Sequence, residues 1–505
     1  MGPLSAPERQ GSARLALALS FAQRHGVLLI RLAGLGVLAR LLPPEQHGVF
    51  AAAIAVNNLC VWAGELGMQQ YLIRVPTLTP AVRRAALGLS MTAACLIAAL
   101  LLGACALLPA GWLSTEYRQS LGVLALLLPL QSCNVVASAV LHRQLRFAPI
   151  LSANLLGAIA NNGTAILLAL QGVGGLSMAI GNAVDTLAIF LGLALFRPLL
   201  RPSLSGWREA FRAGRSFAAV NLLTDVSTSV TSPMVSSLLG FGAAGLLARA
   251  QTVAWMFHRA VLDAIYPVVL PVIAARQRAG QPVGPVYIRQ ASYLAAVGWP
   301  FFGTVALLAG PVVELMLGPG WDGAVPLVRV LAIEGLLLPL AGLQMPYLAA
   351  FGLLDRFLPI QFGLQFGKIL LTALACLHSV EAVCVVVLIE VVARVGIVQA
   401  LFLRAFDYGL RPLGAALLRC VPPTLACLAG PLLVLAWPGA PLPPWLALAA
   451  ALLLGAPLWL AAILLSRHPL HEEFGRALRL LRARRAAALA GQPPLAATSI
   501  QEPQA

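Results

Sequence analysis

"LLPPEQHGVFAAAIAV", residues 41–56, returns in outline as "LLGFGAAGLLARAQTV", residues 238–253. At an offset of 197, Leu41, Leu42, Gly48, Ala51, Ala53 and Val56 fall on Leu238, Leu239, Gly245, Ala248, Ala250 and Val253. Each copy is a short turn that runs into an apolar helix, the second of its half of the chain. The shared place in the topology, more than the six identities, points to duplication. Two halves built alike predict a pseudo-symmetric transporter that alternates access by rocking one lobe against the other.

The chain around these copies is apolar. Of 505 residues, 60% are hydrophobic and 10% charged, with a mean hydropathy of +0.87. A soluble domain needs far more charged surface, so the composition specifies a polytopic membrane protein. Stretches long enough to cross the hydrocarbon core recur at about 15–39, 47–73, 81–109, 119–141, 149–170, 176–196, 216–237, 243–273, 290–316, 324–350, 357–378, 382–403, 413–436 and 444–466. Backbone polar groups in lipid must be satisfied internally, so each is expected to be helical. The fold class is all-α, with about 14 transmembrane helices in two pseudo-symmetric six-helix lobes plus two C-terminal helices.

Net charge is +16, which in a soluble chain would suggest nucleic acid. Its distribution says otherwise. Of the 34 Lys and Arg, 24 lie in the termini and alternate loops, two (Arg40 and Arg118) in the opposite loops, and eight within spans. That alternation is the positive-inside pattern and places both termini in the cytoplasm. No nucleic-acid partner is expected. The start, "MGPLSAPERQGSAR", shows no cleavable signal pattern. The expected divisions are an N-lobe over 1–196, a cytoplasmic linker over 197–215 and a C-lobe over 216–403. Beyond them come two helices within 413–466, a basic interfacial helix over 467–488 and a disordered tail over 489–505. The eight cysteines all fall in spans without metal-ligand spacing and read as packing residues. No metal or cofactor is expected.

"ARLLPPEQHGVFAAAIAVNNLCVWAGELGMQQYLIR" (39–74) resembles a signature of bacterial polysaccharide exporters, with Gly48–Val49–Phe50, Gly64, Gly67 and a closing Leu72–Ile73–Arg74. "LHRQLRFAP" (141–149) and "GAAGLLARAQTVAWMFHRAVLDAIYPVVLPVIAARQ" (242–277) fit the same family. On these motifs the chain is similar to lipid-linked oligosaccharide flippases of the polysaccharide transporter family, within the multidrug/oligosaccharidyl-lipid/polysaccharide exporter superfamily. The resemblance implies movement of an undecaprenyl-diphosphate-linked oligosaccharide across the bacterial inner membrane. It also implies a central cleft walled by helices 1, 2 and 4 of one lobe and 7, 8 and 10 of the other. Implied partners are the polyprenyl-diphosphate oligosaccharide, membrane lipids, a polysaccharide polymerase with its export machinery, and H+ or Na+ as coupling ion.

Charge within a bilayer costs on the order of 3 kcal/mol, so each such residue needs a partner or a wet cavity. Arg31 and Arg249 lie at similar depth on helices that the family fold turns toward the cleft. With Arg259 they are the candidates for an anionic head group, because guanidinium forks suit phosphate oxygens. Arg259 stands four residues from Asp263, and Glu390 four from Arg394, spacings that also suit pairing within one helix. Polar faces carry Asn58, Glu65 and Gln69 on helix 2, Gln131 and Asn134 on helix 4, and Asn221 and Asp225 on helix 7. They fit a sugar path or ordinary interhelical hydrogen bonding. Lys368, the single lysine, shares a face with Gln361 and Gln365 and lies at the depth of Glu334 and Glu390. Those three are the candidates for ion coupling or for a structural brace, since a buried lysine shifts its proton affinity readily.

No nucleophile motif, phosphate loop or sizeable outer loop is present, so the expected protein is a transporter and not an enzyme. A multidrug or cation antiporter of the same superfamily is one alternative, though it would want an acidic cleft. A polysaccharide polymerase or ligase is another, though it would want a catalytic outer loop.

Overall fold

The computed structural model describes residues 25–109, 113–144, 146–195, 201–406, 408–439, 442–466 and 468–472, with some side chains of α3, α9 and α11 outside that description. The proposed basic helix and tail over 473–505 lie outside the described residues.

Prolines set many helix starts, where a missing N–H costs nothing. The first lobe comprises α1 (25–41), α2 (Pro44–Glu65), α3 (Met68–Arg74), α4 (Pro80–Leu107), α5 (Thr115–Leu126), α6 (Leu128–Arg143), α7 (Phe147–Leu170) and α8 (Leu176–Ala194). The second comprises α9 (Trp207–Leu238), α10 (Phe241–Ala254), α11 (Asp263–Arg278), α12 (Gly284–Leu307), α13 (Ala309–Leu317), α14 (Ala324–Gly335), α15 (Leu338–Ala341), α16 (Gln344–Ala350), α17 (Leu354–Ala375) and α18 (Val380–Ala405). The chain closes with α19 (Leu410–Leu418), α20 (Val421–Leu435) and α21 (Pro444–Leu465).

Each of the fourteen apolar segments is occupied by one helix or by a helix broken partway. Among the described residues seven helices are long and apolar enough to span alone, or up to ten when bent pairs count as one span. The breaks have local causes. Between α2 and α3, Leu66 (φ 51°) and Gly67 (φ 71°) both adopt the left-handed region, which interrupts the helix. Between α10 and α11 a π-helical turn, His258–Leu262, shifts the register and re-aims Arg259.

Large leucines such as Leu100 and Leu453 stand 73% and 74% exposed, as a lipid-facing surface requires. Inward, Trp321, Leu327, Val328 and their neighbours form the core of the second lobe. At the end of that lobe away from the Gly48–Gly245 turns, Tyr287, Tyr347, Phe402, Phe406 and Tyr408 pack ring against ring. Their buried hydroxyls are satisfied: Tyr408 donates to Gln399 Oε1 at 2.6 Å and Tyr347 to Gln290 Oε1 at 2.8 Å.

The duplicated turns meet in space. A Cβ at Gly48 would strike the carbonyl oxygen of Phe241, and one at Gly245 would strike that of Pro44. Phe241 lies 197 residues after Pro44, so each glycine meets the carbonyl related to the other by the repeat. Only glycine allows two helices this close, and the pair puts α2 against α10 about a local two-fold.

Candidate functional site

Around that glycine contact the lobes are tied by polar groups. His47 and Arg249 form a cross-lobe pair: Arg249 Nε and Nη2 donate to His47 Nδ1 at 3.0 and 2.6 Å. His47 Nε2 sits 3.3 Å from Leu38 O, so the ring is neutral with its proton on Nε2. Trp321 donates from Nε1 to Ala39 O at 2.9 Å and meets the His47 ring edge-on at 5.1 Å. Arg40 Nη2 donates to Leu315 O at 2.6 Å, across the lobes at the carboxyl end of α13. The lobes are therefore closed together at this end.

Arg31 is held elsewhere. Its Nη2 donates to Asp185 Oδ2 on α8 at 3.0 Å, with the Asp185 side chain 8% exposed. Arg249 reaches Met178 Sδ at 3.9 Å on the same helix, seven residues earlier and about 10 Å away along the axis. Each guanidinium has a protein partner at a different depth, so the structure does not bring Arg31 and Arg249 together as a clamp.

The polar faces of the first lobe converge. A cleft of about 350 Å³ is lined by Asn57, Asn58, Gln69, Gln131, Asn134, Asn154 and Asn182, with Ser138 and Thr186 between them. It contains the expected Asn58, Gln69, Gln131 and Asn134 and has no charged side chain in its lining. Asn134 Nδ2 donates to Thr186 O at 3.0 Å, which leaves Asn134 Oδ1 buried without a partner among the described residues; Asn57 Oδ1 is in the same condition. Glu65 is not in the lining. It is 4% exposed and its Oε1 accepts the Gln69 backbone N–H at 3.2 Å, which secures the α2–α3 break. Asn57, Asn154, Asn182 and Thr186 are the members the sequence reading does not single out. The i, i+3 and i+4 rule applied to α8 would have found Asn182 and Thr186, through Asp185 between them, whereas Asn154 has only apolar or glycine neighbours at those spacings.

The second lobe encloses a different cavity, of about 460 Å³. Its wall includes Trp255, His258, Arg259, Glu334, Gln344 and Arg394. Arg394 Nε donates to Glu390 Oε1 at 3.1 Å, the i, i+4 pair that the spacing suggests. No carboxylate of a described residue lies within salt-bridge distance of Arg259, and the Asp263 side chain lies outside the description. Lys368, Glu334, Glu390 and Arg394 sit within electrostatic reach of one another, from α17, α14 and α18. Lys368 is not in the cavity lining; it follows the buried Gln361 and Gln365 along α17. Asn221 and Asp225 lie on α9, but their side chains are outside the described ones.

Comparison with known proteins adds to this geometry. The model of the family "polysaccharide biosynthesis protein" matches residues 37–326, more than half of the chain. The succinoglycan biosynthesis transport protein ExoT of Rhizobium meliloti (strain 1021) is 27% identical over 428 residues, 79% of this chain and 83% of that protein. The lipopolysaccharide biosynthesis protein WzxC of Escherichia coli (strain K12) is 24% identical over 163 residues, 32% of this chain and 33% of its own. Among solved structures, the lipid II flippase MurJ in an inward closed conformation superposes with a TM-score of 0.72 at 12% identity, covering 90% of this chain and 99% of that one. An inward-facing multidrug resistance MATE transporter of the MOP superfamily gives 0.55 at 14% identity, covering 78% and 95%. The fold is thus the one shared by MurJ and the MATE transporter, and the chain, a multi-pass membrane protein, belongs to the polysaccharide biosynthesis protein family.

Proposed function

We propose that the protein flips an undecaprenyl-diphosphate-linked oligosaccharide repeat from the cytoplasmic to the outer leaflet of the bacterial inner membrane, for export of exopolysaccharide, capsule or O-antigen. The observation that carries this reading is the pairing of two unlike cavities in one transporter fold. A carboxamide-lined cleft offers neutral donors and acceptors, with Asn57 Oδ1 and Asn134 Oδ1 in want of a donor such as a sugar hydroxyl. A second cavity offers Arg259 and Arg394 to a diphosphate. Trp255, 45% exposed in the same wall, offers a ring for stacking.

In this account the sugars lie against α2, α6, α7 and α8 and the diphosphate against α10, α14 and α18. Outward opening separates α2 from α10 at the Gly48–Gly245 contact and parts Arg249 from His47. The moving lobes are 1–196 and 216–403, joined through 197–215, with 413–466 flanking the cleft for the lipid tail. Lys368, Glu334 and Glu390 exchange H+ or respond to Na+ during the cycle. Both termini face the cytoplasm, and a polymerase with its export machinery takes over the flipped product on the far side of the membrane. A cation antiporter of the same fold is disfavoured, because the cavity that holds charge presents two arginines to one glutamate.

The test is flipping in proteoliposomes of a fluorescent polyprenyl-diphosphate oligosaccharide, with an impermeant quencher outside. Wild type flips it, and Arg259→Gln, folded and reconstituted, does not. A wild type inactive toward every diphosphate-linked sugar supplied, with and without an ion gradient, contradicts the reading.

A further inference from the structure

On the flank of the second lobe, away from both cavities, α12 and the α19–α20 span enclose a groove of about 610 Å³. Its apolar wall is Ile288, Pro412, Ala415 and Ala416, and two arginines, Arg289 and Arg419, stand over it. Both are exposed, and neither has a carboxylate of any described residue within salt-bridge distance. In this they differ from Arg31, Arg249 and Arg394, each of which has a protein partner. Arg289 is five residues into α12, and Arg419 nine residues beyond the start of α19 at Leu410, about 8 and 14 Å along their helices from the cytoplasmic ends. At the boundary of a span an unpaired guanidinium draws a counter-charge, and the bilayer interface supplies an abundant one, the lipid phosphate.

The groove is also built. The turn after the last span is fastened to its floor by His468, whose Nε2 donates to the buried Ser292 Oγ at 2.9 Å while its Nδ1 accepts the Leu470 N–H at 3.2 Å. Burial, with Arg419 nearby, lowers the proton affinity of His468, so the ring serves as a neutral strut. That strut holds Pro469 as the groove's far edge.

We propose that this groove binds an anionic glycerophospholipid of the cytoplasmic leaflet. Its phosphate sits between Arg289 and Arg419, and an acyl chain runs along Ile288, Pro412, Ala415 and Ala416. Guanidinium forks match a phosphodiester bidentately, and the alanines leave a slot of chain width. The occupant is a resident lipid and not the transported carrier. The cavity of the second lobe meets α12 at Phe302, ten residues and about 15 Å further along than Ser292.

The test is native mass spectrometry of the full-length protein in mild detergent, titrated separately with phosphatidylglycerol, phosphatidylcholine and a short-chain polyprenyl diphosphate. Wild type should retain phosphatidylglycerol about tenfold more tightly than phosphatidylcholine, because both carry the phosphodiester but the choline cation cancels the net charge that the two arginines attract. The double variant Arg289→Gln/Arg419→Gln should lose that preference. Ala416→Trp should weaken retention by filling the slot with both charges intact, and Arg411→Gln, exposed on α19 outside the groove, should change nothing. Because the two arginines are exposed, their variant keeps the test alive if Ala416→Trp does not fold. Equal retention of the two phospholipids by wild type, or undiminished phosphatidylglycerol binding by the double variant, overturns the proposal. So does a double variant that loses only the polyprenyl diphosphate, which would assign the groove to the carrier.

Discussion

The first lobe surrounds its cleft with seven carboxamides and no charged side chain, whereas the second lines its cavity with two arginines and a glutamate and keeps a lysine and a second glutamate behind them. The same duplicated scaffold carries both. Where the copies touch, at Gly48 and Gly245, they remain near mirror counterparts, because a close helix crossing tolerates nothing larger. Beside the crossing the symmetry already fails: His47 corresponds to Ala244, and four residues after the glycine Ala52 in one copy is Arg249 in the other. The contact between the copies has kept its form, while the interiors have diverged toward neutral hydrogen bonding on one side and charged side chains on the other. A cargo with a hydroxyl-rich end and a doubly anionic end is suited to such a division.

The largest effect should come from breaking the shared element. Gly48→Leu or Gly245→Leu forces α2 and α10 apart, an overpacking cost of about 1–3 kcal/mol or more placed on the closed end of the lobes. A cysteine at Ala52 should then react with impermeant reagent from outside, and flipping should be nearly abolished. Next, Arg259→Gln removes charge-assisted hydrogen bonds to the head group, worth about 1.5–3 kcal/mol, so the flipping rate should fall roughly 10- to 100-fold with thermal stability unchanged. A loss smaller than threefold would remove the second lobe's charges from the account. Arg31→Gln should act on stability instead: it leaves the Asp185 carboxylate buried without its partner, costing about 1–3 kcal/mol in a thermal-shift or denaturant measurement. Adding Asp185→Asn should restore most of it, and an effect on flipping without one on stability would return Arg31 to the binding site. The smallest effect belongs to the neutral cleft. Asn134→Leu should weaken uptake of the sugar-bearing lipid by about 1 kcal/mol, roughly fivefold, and alter the preference among repeat units.

Much of this was legible before any coordinates. Apolar run length and arginine alternation suffice for the all-α, two-lobe membrane fold, and the 41–56 and 238–253 repeat marks the helices that meet. The amide faces of α2 and α6 follow from residue spacing because a polar stripe on an apolar helix has one period to obey. What spacing cannot supply is the partner across an interface. Nothing near Arg31 in the chain names Asp185, 154 residues away, and nothing near Arg249 names His47, 202 residues away. Depth along a span therefore suggested a clamp where the packed helices make two separate pairs. The breaks mislead in the same way: the π-helical turn at His258–Leu262 rotates Arg259 off a regular helical face. Glu65 shares its face with Asn58 and Gln69 in an ideal helix, yet the helix ends there and the carboxylate turns to its own backbone.

The most direct test of the divided site separates the two ends of the cargo. A short-chain polyprenyl diphosphate without sugar should bind the wild type and the Asn58→Leu/Asn134→Leu variant with equal affinity, and bind Arg259→Gln at least about tenfold more weakly. With an oligosaccharide attached, the amide variant should show its defect as well. If instead the sugar-free lipid loses affinity in the amide variant and keeps it in Arg259→Gln, the assignment of diphosphate to the second lobe and sugar to the first is wrong.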